Sequence, residues 1–363
     1  MWYNGGTSLK IGFAFDIHFD ERRSIVRRFG TVSTVSLENG INSVHEFEDV
    51  CEREGVDYIV FGGDTFNRSE LTAAEITAVQ KIEWSKIPHI FLIGNHEAML
   101  NDLSTSSTHL FSSIPNFRIV SEPEVMKIGS CNLMFLPYCL EPERKPIKET
   151  FTDYDKLTGN KLIVSHNDIK GLQYGAFESK TGYSIEDIES SCDLFLNGHL
   201  HNGCKICKNG YNVGNLTGQN FSEDAFKYPH MFCIVDTETL DIQWFENSQA
   251  LNFYKLDEID SIDKFNSYFS KMKNNIVMTV KAYENVVSEL REYIELTPQV
   301  KNRIVEYRII SIPNKDINTN ALNESLESNE LNSINHLEQF VTYVKDNIEL
   351  SDIIVDELNE VCR

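Results

Sequence analysis

Residues 58–64 read YIVFGGD: four apolar residues, two glycines and an aspartate. So short an apolar run, closed by glycine, reads as a buried strand. The aspartate then stands at the strand's carboxyl end, where open α/β sheets bind their ligands. The pattern recurs on both sides. LKIGFAF (9–15) leads into Asp16-Ile-His18, and HIFLIG (89–94) leads into Asn95-His96-Glu97. KLIVSH (161–166) closes on His166, and DLFLNG (193–198) leads into His199-Leu200-His201. NLMFLPY (132–138) is a further strand without such an ending.

Helical segments separate these runs. INSVHEFEDVCEREG (41–55) has apolar residues near helical spacing and a terminating glycine, and TAAEITAVQKI (72–82) is a second helix. Strands alternating with helices predict a layered α/β core. GYNVGN (210–215), MFCIVDTETLDIQWF (231–245) and NFYKL (252–256) lack intervening helices and predict a second sheet packed on the first.

The chain has 363 residues, enough for two or three domains. A first boundary is expected at Leu256, giving a domain over 1–256. Residues 257–313 are expected to form a small strand–helix–strand unit, and the asparagine-rich stretch 314–335 a linker. Two amphipathic helix patterns follow in 336–363. No apolar run approaches the ~20 residues of a membrane span. Eight irregularly spaced cysteines and no secretory signal predict reduced thiols in a cytoplasm. A formal charge of −22 excludes holding nucleic acid by the overall field, but not nucleic acid as a substrate at a local patch.

Carboxylate, amide oxygen and imidazole together suit Mn, Fe, Zn or Ni better than calcium. An aspartate can offer one oxygen to each of two ions. Two ions roughly 3.5–4 Å apart activate a water and clamp the oxygens of an in-line phosphoryl displacement. The five strand ends therefore point to a dinuclear centre assembled from distant parts of the chain.

In these blocks, Asp-x-His, Gly-Asp, Gly-Asn-His-Glu, His and Gly-His-x-His, the sequence resembles the calcineurin-like metallophosphoesterases over about residues 9–245. The resemblance implies a two-sheet β-sandwich flanked by helices, here with a small α+β capping domain and C-terminal helices. It implies that Asp16, His18 and His201 hold one ion, that Asn95, His166 and His199 hold the other, and that Asp64 bridges. His96 is implied to position the phosphate and protonate the leaving oxygen, and manganese is the expected metal. FGGDTFN, GNHE, GHLH and VSHNDIKGLQYGAF are similar to the SbcD-type DNA repair nucleases and their phage recombination relatives. That likeness implies an exonuclease and endonuclease on DNA. It also implies a homodimer within a heterotetramer, with a coiled-coil ABC-type ATPase bound by the C-terminal helices. The alternative is a phosphodiesterase for nucleotides or small phosphodiesters.

Leu331, Ile334, Leu337, Val341 and Val344, then Ile353, Ile354, Leu358 and Val361, supply an apolar face for such a partner. Residues 314–363 hold three basic and eleven acidic residues, which suits a protein partner better than DNA. Cys204 and Cys207 lack two further ligands for a zinc site and are expected to be bystanders. Arg22, Arg23, Arg27 and Arg28 form a basic cluster that either guides a phosphate backbone or is a solvated helix face.

Overall fold

The computed structural model describes residues 8–21, 34–174 and 177–314. The arginine cluster at 22–28, most of the expected linker and the C-terminal helices at 336–363 lie outside the described residues.

Two six-stranded sheets face one another. In the first, Lys10–Ala14, Tyr58–Phe61, His89–Leu92 and Phe117–Val120 run parallel, and Met231–Asp236 with Ile242–Glu246 continues the sheet antiparallel. In the second, Gly210–Asn212, Leu194–Asn197, Lys161–Ser165 and Cys131–Leu136 run parallel. Cys204–Cys207 and Glu124–Ile128 form antiparallel edges.

Strand alternation explains why the runs are apolar throughout. Ile11, Phe13, Val60, Ile90 and Leu92 point into the space between the sheets, where Leu133, Phe135, Leu162, Val164, Leu194 and Leu196 meet them. Ile59, Phe61 and Phe91 point the other way, against Leu37, Val44, Phe47 and Cys51 of the helix Val35–Glu54. Met134, Leu136, Ile163 and Phe195 likewise meet Ile147 and Ile188 outside the second sheet. The result is the expected helix-flanked sandwich. Gly12 fits the helix closely, since a Cβ there lies 2.5 Å from Cys51 Sγ.

The helix before the second strand begins at Val35, earlier than its periodicity suggests, because the Thr34 side chain caps it by accepting from the Leu37 N–H. Gly55, left-handed at φ 69°, ends it as expected. The second helix, Ala73–Gln80, carries a capping box between Thr72 and Glu75. The expectation that the later strand-like pieces make the second sheet is corrected. Those pieces divide among three sheets, and the middle runs at 132–138, 161–166 and 193–198 build the second.

The third sheet is parallel and three-stranded: Asn252–Ile259, Ile276–Tyr283 and Ile304–Ile312. The expected boundary at Leu256 falls inside its first strand. The polar stretch after it contains the helix Ile262–Phe269, capped by Ser261 and burying Phe265 and Phe269. This helix and Glu284–Leu296 cover one face of the sheet around Leu256, Met278, Val280 and Leu290. No described helix is long and apolar enough to cross a membrane.

Candidate metal centre

The strands that end in polar residues all present their carboxyl ends at one edge of the sandwich. Asp16 N–H donates to the Gly63 carbonyl at 3.1 Å, and His18 N–H to the Asp64 carbonyl at 2.9 Å, which joins the first two strand ends. Asp16, His18, Asp64 and His199 hold left-handed backbones, with φ of 50°, 51°, 50° and 74°. Such conformations cost non-glycine residues of order 1–3 kcal/mol and collect at functional sites.

All seven expected ligands converge. Ligand atoms of Asp16, His18 and His201 lie within 4.8 Å of one another, as do those of Asp64, His166 and His199. The Asn95 amide oxygen is 2.9 Å from His199 Nδ1. Asp64 Oδ2 stands 3.7 Å from His18 Nε2 and 3.1 Å from His166 Nε2, between the two groups. His201 Nε2 lies 3.1 Å from His18 Nε2. Asp16 is anchored by the His199 backbone N–H, at 3.1 and 3.0 Å from its two oxygens. Cys204 and Cys207 join no such group among the described residues and are free thiols.

Two glycines allow this proximity. A Cβ on Gly94 meets Asp64 Oδ1 at 2.2 Å, and one on Gly63, at φ 102°, meets His166 Nδ1 at 2.2 Å. No other residue fits at either position without moving a candidate ligand.

Hydrogen bonds behind the ligands fix their tautomers. His166 Nδ1 donates to the Gly62 carbonyl at 2.9 Å. Among the described residues its buried Nε2 meets no group but the carboxylates of the cluster, with Asp64 Oδ2 at 3.1 Å, and is aimed into it. His201 Nδ1 lies 2.7 Å from Glu223 Oε1, the carboxylate–histidine arrangement that orients a metal-ligating imidazole. These donors fit a pair of divalent ions.

Burial alone raises the Asp16 and Asp64 carboxyls, but the surrounding histidines overcome it and hold both below the usual range. His166 titrates at about 10: burial lowers it, and Asp64 and Asp16 more than reverse that. Burial lowers the His18 imidazole. The opposed shifts set a protonated His166 against two ionised carboxylates, and a cation bound among them would replace that proton.

His96 differs from the seven in being exposed at the rim. Its backbone N–H donates to Asp64 Oδ1 at 3.0 Å, and its ring packs edge-on to His18 at 4.8 Å between centroids. Its Nδ1 faces the Asn67 carbonyl at 3.1 Å, so that nitrogen carries the proton and Nε2 is left for other chemistry. With His18 and Asp64 it also forms a third group close enough to hold an ion.

Sequence reasoning assigned no role to three supporting carboxylates. Glu223 is described above. Glu97 is fully buried and accepts from the Gly94 N–H at 2.9 Å and the Phe66 N–H at 3.1 Å, tying two ligand loops together. Burial and the nearby Asp64 push its carboxyl up to about 7. Asp168 Oδ1 lies 3.3 Å from His199 Nε2.

The sequence matches the family described as calcineurin-like phosphoesterase over residues 9–229. No curated protein matches it. Among solved structures, a dimetal phosphatase from Danio rerio is 12% identical, with 66% of this chain and 99% of that chain covered and a TM-score of 0.39. A protein of Thermus thermophilus is 12% identical over 66% and 99% of the two chains, with a TM-score of 0.38. A 5'-nucleotidase from Candida albicans is 10% identical over 66% and 52%, with a TM-score of 0.37.

Proposed function

This chain belongs to the calcineurin-like phosphoesterase family, and on that premise we propose that it is a DNA nuclease subunit that hydrolyses phosphodiester bonds. Asp16, His18 and His201 would hold one ion, Asn95, His166 and His199 the other, with Asp64 between them; manganese is the metal we assign. Bound there, two divalent ions supply a nucleophile at neutral pH and neutralise charge on the phosphoryl oxygens. The protein's own residues do the rest. Asp64 and Asp16, held ionised by the histidines, keep the cluster charged. Glu223 and the Gly62 carbonyl fix the imidazole orientations. His96, its Nδ1–H held by the Asn67 carbonyl, acts as the imidazolium and gives its Nε2 proton to the departing oxygen, leaving the neutral Nδ1–H ring.

The observation that carries the polymer reading is the depth of the site. The carboxylates, His18 and His166 are buried, while His96 stands exposed at the rim. An extended phosphodiester can therefore lie across the opening. The order of parts supports a complex. In our reading, the segment 336–363 docks on a coiled-coil ABC-type ATPase, and two nuclease chains pair within a heterotetramer.

The test is hydrolysis of linear duplex DNA, bis-p-nitrophenyl phosphate and cyclic nucleotides with manganese, with and without the ATPase. DNA cleavage stimulated by the ATPase is expected. Activity confined to the small esters overturns the polymer assignment and leaves the alternative, a small-phosphodiester hydrolase.

A further inference from the structure

The two helices that follow the first strand of the third sheet lie on one face; among the described residues the other meets only Val35, at the start of the helix Val35–Glu54, and the loop residues Leu251 and Phe221. On that second face Phe253 and Val277 are buried with Val35, Leu251 and Phe221, and the face opens beyond them. Strand alternation places Lys255, Thr279 and Arg308 on the same side. The register aligns them in a row: Lys255 opposite Thr279, and Thr279 opposite Arg308. With strands ~4.8 Å apart, two cations stand about 10 Å from each other with a hydroxyl between. Lys255 and Arg308 are exposed, and among the described residues neither has an acidic partner. In a chain of net charge −22, two exposed cations outside any ion pair among the described residues are a local attractor for an anion, with one carboxylate, Glu306, beside Arg308 on the same face.

Beside the row lies a groove of about 420 Å³, lined by Asn220, Phe221, Phe253, Val277, Glu306 and Arg308 among others. The rings of Phe221 and Phe253 meet at 5.2 Å and 87°. Glu306 shares the face of Arg308, two residues before it. One of its carboxylate oxygens is buried and has no hydrogen-bond partner. A buried acceptor without a donor is costly unless something supplies an N–H.

We propose that this groove binds one nucleotide unit. The base lies against Phe221 and Phe253 and donates an amino or ring N–H to Glu306. The phosphate sits on Lys255, Thr279 and Arg308. Simpler ligands satisfy only part of the site: inorganic phosphate leaves Glu306 unpaired, and an apolar ring leaves the cations unpaired. The groove also adjoins the metal centre. The Gln219 N–H and the Asn220 side-chain amide donate to Glu223 at 2.7 and 3.3 Å, and Glu223 orients His201. The inference rests on the nuclease reading and deepens it, because a nucleotide held here gives a strand a foothold beside the site of hydrolysis.

The experiment titrates deoxyadenosine and deoxycytidine monophosphates into the full chain by calorimetry, in EDTA so that no metal competes for the phosphate. Parent, Lys255→Ala and Arg308→Ala proteins are compared; both side chains are exposed, so folding is not at issue. Saturable binding that weakens about tenfold in each variant is expected. A single-stranded oligonucleotide that displaces the nucleotide identifies a strand as the natural source. Failure to displace it identifies free nucleotides, and either result upholds the site. Absence of saturable binding, or binding unchanged in both variants, overturns it. Manganese-dependent cleavage of linear DNA by the parent separates the two readings. Its loss counts against the nuclease assignment alone, whereas the EDTA titration judges the groove by itself.

Discussion

Replacing Glu223 by glutamine removes one charge and almost no volume from behind the metal centre. The carboxylate is buried, accepts from His201 Nδ1 and from the Gln219 N–H, both at 2.7 Å, and lies 3.3 Å from the Asn220 amide. Burial would raise its pKa, but His201 overrides that and holds it below the usual glutamate range. The same contact raises His201 against its own burial. Outer carboxylates of this kind are worth 10–100-fold in metal affinity, or roughly 1.4–2.8 kcal/mol. Glu223→Gln is therefore expected to weaken the weaker-bound ion by about that factor, measured by chelator competition with manganese. The depressed glutamate pKa adds a sign that can be checked. Its stabilisation is present above the unfolded value and is lost as pH falls through the folded one. Melting temperatures of parent and variant should therefore converge towards acid. Parental manganese affinity in Glu223→Gln would refute the role given to this residue.

His96→Ala is expected to reduce turnover by about 10²–10⁴-fold while leaving the manganese content at the parental level, read by kinetics and elemental analysis. Gly94→Ala forces a methyl against Asp64 and should cost about 1–3 kcal/mol of stability and lower the bound metal, checked by denaturant melts and elemental analysis. His166, at about 10 in the metal-free site, should give up its proton when metal binds. Its raised pKa stabilises the metal-free fold fully below about 6.5, and that contribution is lost as pH rises through about 10. Manganese affinity should rise with pH across that window, and binding at pH 7 should release protons, seen as a buffer-dependent calorimetric enthalpy. Gly12→Ala should destabilise the sandwich by about 1–3 kcal/mol without changing metal content, because its Cβ strikes Cys51 of the flanking helix.

The centre was legible because each ligand follows a run that must be buried. A strand covered on both faces reads as continuous apolar sequence, and its polar end is then conspicuous. Asp64 after YIVFGG and His199 after DLFLNG are the clearest cases. The supporting carboxylates were not legible. Glu223, Glu97 and Asp168 act through contacts whose partners are brought near only by the fold. Strand order was also hidden, because apolar runs state that a strand is buried but not which neighbour it pairs with. The helix Ile262–Phe269 escaped notice for a third reason. Only Phe265 and Phe269 of its eight residues are buried, so its sequence looks like a solvated connection.

Crystals grown with manganese and measured at its absorption edge address the central claim most directly. Two anomalous peaks roughly 3.5–4 Å apart, with Asp64 reaching both, are the expected result. A single peak, or two peaks with Asp64 touching neither, would contradict the dinuclear account.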